Sequence, residues 1–249
     1  MCGRYLLLSP PEAMRRLFDV DATPNFPPRF NVAPTDSMPV VRLDASGRRE
    51  LVLLRWGLVP GWAKDLSIGA RTINARSESV ADKPAFREAF PARRCLVPAD
   101  GYYEWKAEGK QRHPFLIRRA DRGLMVFAGL WERWVRPTAN DRGSPRDIGP
   151  AGQVIDTFTV LTRPADPALR TLHDRMPLML DREEFSTWLL PASGLAVVMA
   201  LLAASPIGPF EVTAVSAAVN NVRNDDASCL EPATTIVAPA APPLQGQLL

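Results

Sequence analysis

This sequence is short of the side chains that build disulfide scaffolds, metal centres and membrane spans. Three of its 249 residues are cysteine, at Cys2, Cys95 and Cys229. Their odd number and wide separation supply neither a disulfide framework nor a paired-cysteine metal knuckle. Histidine occurs twice, at His113 and His173, too few for a histidine-rich zinc site. The expectation is a chain with no metal and no other cofactor. Its start, Met-Cys-Gly-Arg, lacks the apolar core of a secretory signal. The longest apolar run, Leu195 to Ala204, is too short to cross a bilayer and reads as a packed helix. A cytoplasmic location is therefore expected, nucleoid-associated in a bacterium, with no membrane partner.

Lysine is scarce as well. Of thirty Lys and Arg side chains, four are lysine: Lys64, Lys83, Lys106 and Lys110. Positive charge is thus carried by arginine, the better fork for phosphate and the better stacker on bases. The formal net charge is only +3, and a GC-rich genome would raise arginine, alanine and proline together. The bias selects no partner by itself. With 46% hydrophobic and 23% charged residues, composition is ordinary for a globular chain long enough to bury a substantial core.

Cys2–Leu8 alternates as a strand does. Ser9-Pro10-Pro11-Glu12 resembles a capping box opening a short helix to about Val20. Met38–Leu43 and Glu50–Trp56, split by Ala45-Ser46-Gly47, read as a hairpin. Ser77–Phe90 reads as a helix broken at Pro84. Further strands are expected at Arg94–Val97, Gly101–Lys106, His113–Arg119, Leu124–Trp134 and Thr157–Leu161. Pro137–Gly152 has no periodicity and reads as an exposed loop. Asp181-Arg182-Glu183-Glu184 opens another capped helix. The sum is an α+β class around a curled, barrel-like antiparallel sheet with surrounding helices. One domain is expected over 1–232, followed by an Ala/Pro-rich tail at 233–249 without fixed structure.

Chemistry concentrates on few residues. With Met1 removed, Cys2 carries an α-amine and a thiol on neighbouring carbons, with reference pKa values of about 8 and about 8.5. An aldehyde would form an imine with the amine. The thiol would then close a five-membered thiazolidine, an intramolecular step with effective molarities of about 10⁵ M or more. A small buried residue at the start of a strand is the plainer reading of Cys2. His173 lies in the loop-like Leu172-His173-Asp174-Arg175-Met176-Pro177, although a lone histidine is more often structural. Glu104, among aromatics in Gly101-Tyr102-Tyr103-Glu104-Trp105, has surroundings that can raise a carboxyl pKa toward neutrality, unless it faces outward from its strand. Asn74, in Ile73-Asn74-Ala75-Arg76, would orient an amine or simply form a turn. Arg4, Arg76 and Arg175 each lie two residues from one of these groups, where a phosphate backbone would run. Trp62, beside Gly61, offers a face for stacking on a base or belongs to the core.

Six segments occur in a fixed order: Met1-Cys2-Gly3-Arg4, Phe30-Asn31-Val32-Ala33-Pro34, Trp56-Gly57-Leu58-Val59-Pro60, Ile73-Asn74-Ala75-Arg76, Cys95 to Trp105, and His173-Asp174-Arg175-Met176-Pro177. Together with Val215–Asn224 they resemble the SOS-response-associated peptidase (SRAP) family over roughly residues 2 to 232. The resemblance implies one domain with a positively charged groove, crosslinking to abasic sites in single-stranded DNA through a thiazolidine. Such a crosslink would shield the lesion at replication forks, whose proteins become possible partners. It implies Cys2 as nucleophile, Asn74 orienting its amine, Glu104 moving protons and His173 assisting sugar-ring opening. Arg4, Arg76 and Arg175 match phosphate contacts, while Pro34 and Trp62 match a base-stacking surface. Ala63 stands where some members carry a second aromatic, and the 137–152 loop is longer than in compact members. The family name reflects thiol autoproteolysis ahead of the cysteine, where only Met1 precedes here.

Two other classes remain open at this stage. An N-terminal-nucleophile peptidase or amidohydrolase would use the Cys2 thiol on an acyl group, with its amine as base. A non-covalent single-strand-binding module would not need Cys2 at all.

Overall fold

The computed structural model describes residues 2–137, 150, 152–204 and 208–233. Most of the expected 137–152 loop and of the 233–249 tail lies outside these residues. In chain order the strands are β1 (Tyr5–Leu7), β2 (Arg29–Val32), β3 (Ser37–Leu43), β4 (Arg49–Trp56), β5 (Asn74–Arg76) and β6 (Arg94–Ala99). They continue as β7 (Gly101–Glu108), β8 (Gln111–Arg119), β9 (Met125–Val135), β10 (Val154–Pro164), β11 (Arg175–Pro177) and β12 (Phe210–Ala214). The α-helices are α1 (Pro11–Phe18), α2 (Phe185–Leu189) and α3 (Leu195–Ala204).

The expected hairpin forms β3 and β4. Its turn holds because Asp44 Oδ1 accepts from the Ser46 amide at 2.8 Å while Gly47 takes φ +81°, a backbone region open to glycine. From β3 the ladder runs through β6 to β9 and β10, and β10 returns to β4, closing five strands into a barrel. An open antiparallel sheet in the order β12-β8-β7-β1-β2 lies beside it. The barrel-like α+β expectation holds, with one difference. The pairs β10–β4 and β10–β5 are parallel. Alternating hydrophobicity marks a strand's faces and carries no information on its direction, and about a hundred residues between β4 and β10 leave room for a parallel crossover.

Tyr5 joins the two sheets. Its ring meets Trp56 edge-on at 5.2 Å and Phe127 at 6.4 Å, and Trp56 stacks on Phe158 at 6.3 Å. All four rings are fully buried, each worth about 1.5–3 kcal/mol in apolar burial. This anchor fixes the start of the chain against the barrel.

Three local expectations are corrected. Ser9 does not cap α1; Pro10 is the N-cap, and the Ser9 hydroxyl bonds Asp100 Oδ1 at 2.6 Å. The proline at the first helical position starts the helix unaided. Residues 77–90 form one 3-10 turn (Ser77–Ser79) followed by turns, not an α-helix. The apolar run is helical as α3, yet only Val198 and Leu202 are buried while Leu195, Val197 and Met199 are exposed. By contrast, the Asp181–Glu184 capping box is present as expected and leads into α2. Among the described residues no helix is long and apolar enough to cross a membrane.

Candidate active site

The start of the chain ends in a cleft because β1 is short. Its pairing with β7 covers Tyr102 and Gly101, and the Tyr103 amide still donates to the Arg4 carbonyl at 3.0 Å. Beyond that point β7 has lost its neighbour on this side. A cavity of about 520 Å³ wraps round the uncovered strand, so the consecutive residues Glu104 and Trp105 both line it. Gly3, Arg4, Arg112, His173 and Asn220 complete the wall. The volume is that of a site for a small organic group.

Cys2 is fully buried next to the cleft-lining Gly3, its sulfur 3.9 Å from the Arg4 carbonyl oxygen. Burial and the nearby Glu104 carboxylate push its thiol pKa far up, so the sulfur rests as a thiol. Asn74 lies in β5, paired beside Val160 of β10, and not in a turn. Its Nδ2 donates to the Cys2 carbonyl at 2.8 Å, whereas its buried Oδ1 has no hydrogen-bond partner among the described residues. An unfilled buried acceptor costs about 1–3 kcal/mol, and here it sits beside the first residues of the chain.

Glu104 is buried, with its carboxyl pKa raised to about 7. Desolvation is the main cause, opposed by the positive charge at the chain terminus and reinforced by Asp174. A carboxyl poised near neutrality can give and take a proton. His173, just ahead of β11, accepts the Arg175 amide at Nδ1 (2.9 Å), which leaves the proton of the neutral ring on Nε2. Burial lowers its pKa. Asp174 Oδ1, 2.8 Å from the same nitrogen, pulls the other way, but burial dominates and the net shift is downward.

The arginines differ in how much of them is already engaged. Arg4 donates from Nη1 to Asn31 Oδ1 (2.7 Å) and to the Val219 carbonyl (3.0 Å). Arg175 forks onto Glu78, whose pKa falls to about 2 mainly through that bond, and also donates to the Thr162 carbonyl at 2.6 Å. Arg76 is exposed on β5, two residues from Asn74 and on the same face.

Trp62 and Pro34 do not line the cavity. Trp62 is 55% exposed on a loop pinned where Trp134 Nε1 donates to the Ala63 carbonyl at 2.8 Å. Pro34 stands in a turn closed by the Asp36 amide to the Ala33 carbonyl (3.1 Å), with Thr35 at φ +82°. A threonine there is strained, and the turn leaves Pro34 half-buried. Among the described residues no group of three or more His, Cys, Asp or Glu side chains is placed to hold a metal ion.

Several wall residues were invisible as site residues in the sequence. Asn31 is fully buried, donating to the carbonyls of Val219, Asn221 and Asn224 while accepting from Arg4. Asp225 accepts the Phe30 and Asn31 amides. These bonds tie residues 219–225 to β2 and so deliver Asn220 to the cleft, where its Oδ1 accepts Trp105 Nε1 at 2.6 Å. Phe30–Pro34 and Val215–Asn224 both stand among the segments that carry the family resemblance, but neither announces that the two meet across nearly two hundred residues.

A mixed barrel that bonds an asparagine to a buried cysteine at the chain start, beside a cleft lined by a carboxyl and a histidine, defines an α+β protein with a polar cleft. The chain belongs to the SOS response associated peptidase (SRAP) family, whose model matches residues 1–222. It is 35% identical over 236 residues to the abasic site processing protein YoaM of Bacillus subtilis (strain 168), across 93% of this chain and 98% of that one. It is 31% identical over 286 residues to the abasic site processing protein HMCES of Mus musculus, across 95% of this chain and 77% of that one. Among solved structures, a protein from Bacteroides thetaiotaomicron matches with a TM-score of 0.77 at 22% identity, over 93% of this chain and 99% of that one. That likeness concerns the fold alone.

Proposed function

We propose that this chain captures abasic sites in single-stranded DNA, as part of a DNA-damage response, by joining Cys2 to the sugar aldehyde as a thiazolidine once Met1 is removed. The observation that carries the reading is Asn74, one end of its amide holding the Cys2 carbonyl and the other a buried acceptor without a partner among the described residues. A terminal amine on Cys2 would supply the missing donor. The same bond would aim the nitrogen lone pair at the cleft. The names of YoaM and HMCES, both abasic site processing proteins, support the choice of lesion.

The steps balance as follows. The Nε2–H of His173 bonds the deoxyribose ring oxygen as the ring opens, and the proton leaving the anomeric hydroxyl replaces it. The Cys2 amine adds to the aldehyde carbon. Protonated Glu104 donates to the resulting hydroxyl, which departs as water and leaves an iminium. The thiol then adds to that carbon: the C–S bond forms, the C=N electron pair returns to nitrogen, and the thiol proton passes to the Glu104 carboxylate. Glu104 ends in the form in which it began. Arg4, Arg76 and Arg175 would contact the strand's phosphates, with Trp62 and Pro34 against its bases.

Denaturing gel electrophoresis with single-stranded DNA carrying one abasic site tests the proposal. A heat-stable shifted band is expected for the native chain and none for Cys2→Ala. An equal band from Cys2→Ala would overturn it.

A further inference from the structure

We infer that the β7–β8 arm forms a nucleotide subsite of its own, with Arg112 as phosphate anchor and the Trp105 indole as the flat wall beside it. The inference rests on the abasic-site reading and adds where the strand leaves the reacting sugar.

Register places these groups together. Ala107 pairs with Arg112 and Trp105 with Pro114 across the β7–β8 ladder, so Trp105 and Arg112 are diagonal neighbours on one face. Both line the cavity that holds Glu104 and His173. The indole is fixed in plane, its Nε1 donating to Asn220 Oδ1 at 2.6 Å while the Arg4 guanidinium lies 6.0 Å from the ring centroid.

The cations of the cleft are not equivalent. Arg175, outside the cavity wall, holds Glu78 with both Nη groups, and Arg4 spends Nη1 on Asn31 and the Val219 carbonyl. Arg112 is exposed and makes no side-chain hydrogen bond or ion pair among the described residues. Its whole guanidinium is therefore open to an anion at the cavity wall. Asp174 places a carboxylate beside His173, so a phosphodiester is drawn away from it and toward this arm. A base on either side of the lesion, stacked on Trp105, would put its phosphate beside Arg112.

The test is the salt dependence of binding to undamaged single-stranded DNA by fluorescence anisotropy, for the native chain, Arg112→Ala and Arg112→Lys. Capture of glycolaldehyde by Cys2, read by intact-mass spectrometry, reports the chemistry separately. Each phosphate contact on a single strand contributes about 0.7 to the slope of log K against log salt. Arg112→Ala is expected to flatten the slope by about that amount and weaken binding about 3- to 10-fold. Arg112→Lys should restore the slope. An unchanged slope and affinity in Arg112→Ala, with native capture of abasic DNA intact, would overturn this inference and leave the abasic-site reading standing. Failure of the native chain to capture abasic DNA would overturn both.

Discussion

Cys2 and Cys95 are both fully buried, and burial pushes both thiols far up in pKa. Nothing in exposure or acidity separates them. Their neighbours do. Cys95 sits in the barrel wall, its sulfur against Gly129, where an added methyl would come within 2.9 Å of it. The adjacent Arg94 is equally buried, yet it donates to the carbonyls of Phe90, Pro91, Trp188 and Leu190, and the Cys95 carbonyl accepts Trp188 Nε1. Around Cys2 the bonding is incomplete. Asn74 Oδ1 and the Tyr5 hydroxyl are buried without partners among the described residues, and Glu104 is held near neutrality. Buried groups without a partner among the described residues occur beside Cys95 as well, Thr159 Oγ1 among them, so what sets Cys2 apart is the perturbed carboxyl and the cleft next to it.

The contrast breaks most sharply at Cys2. Cys2→Ser keeps the amine and loses the sulfur, so an imine still forms but cannot close as a thiazolidine. Its adduct is expected to disappear on heating, and a heat-stable adduct of native yield would sink the ring-closure step. Next in size, Glu104→Gln is expected to slow crosslinking about 10²–10⁴-fold in single-turnover gels. The pH profile sharpens this test. Glu104 donates only while protonated, so the native rate should level off and fall as pH rises through about 7. The variant has no such limb and should keep rising until the amine is neutral, near pH 8. A native profile unaffected by the substitution would remove Glu104 from the mechanism. Smallest of all, Cys95→Ala should leave crosslinking at the native rate and cost about 1–2 kcal/mol in urea denaturation. Loss of crosslinking by a folded Cys95→Ala would undo the comparison.

The strands were legible because their alternation reports which face is buried; β4 buries Leu54 and Trp56, two residues apart, as the pattern requires. Closure of the barrel was not, since a parallel seam between β4 and β10 leaves no local trace. The site divides in the same way. Cys2, Glu104 and His173 carry chemistry in their own atoms and could be singled out by type and surroundings. Asn31, Arg112 and Asn220 owe their places to contacts made far along the chain. Arginine misleads in both directions: Arg94 is a core residue that satisfies four carbonyls, while Arg112 on an ordinary strand faces the cleft.

The central claim is that the amine and sulfur of one residue share the lesion's aldehyde carbon. Intact-mass spectrometry of the purified complex with an abasic oligonucleotide tests it most directly. The expected mass is that of the chain without Met1 plus the oligonucleotide minus one water, with peptide mapping placing the link on Cys2. A stable adduct on chains that retain Met1, or a link mapped to any other residue, would contradict it.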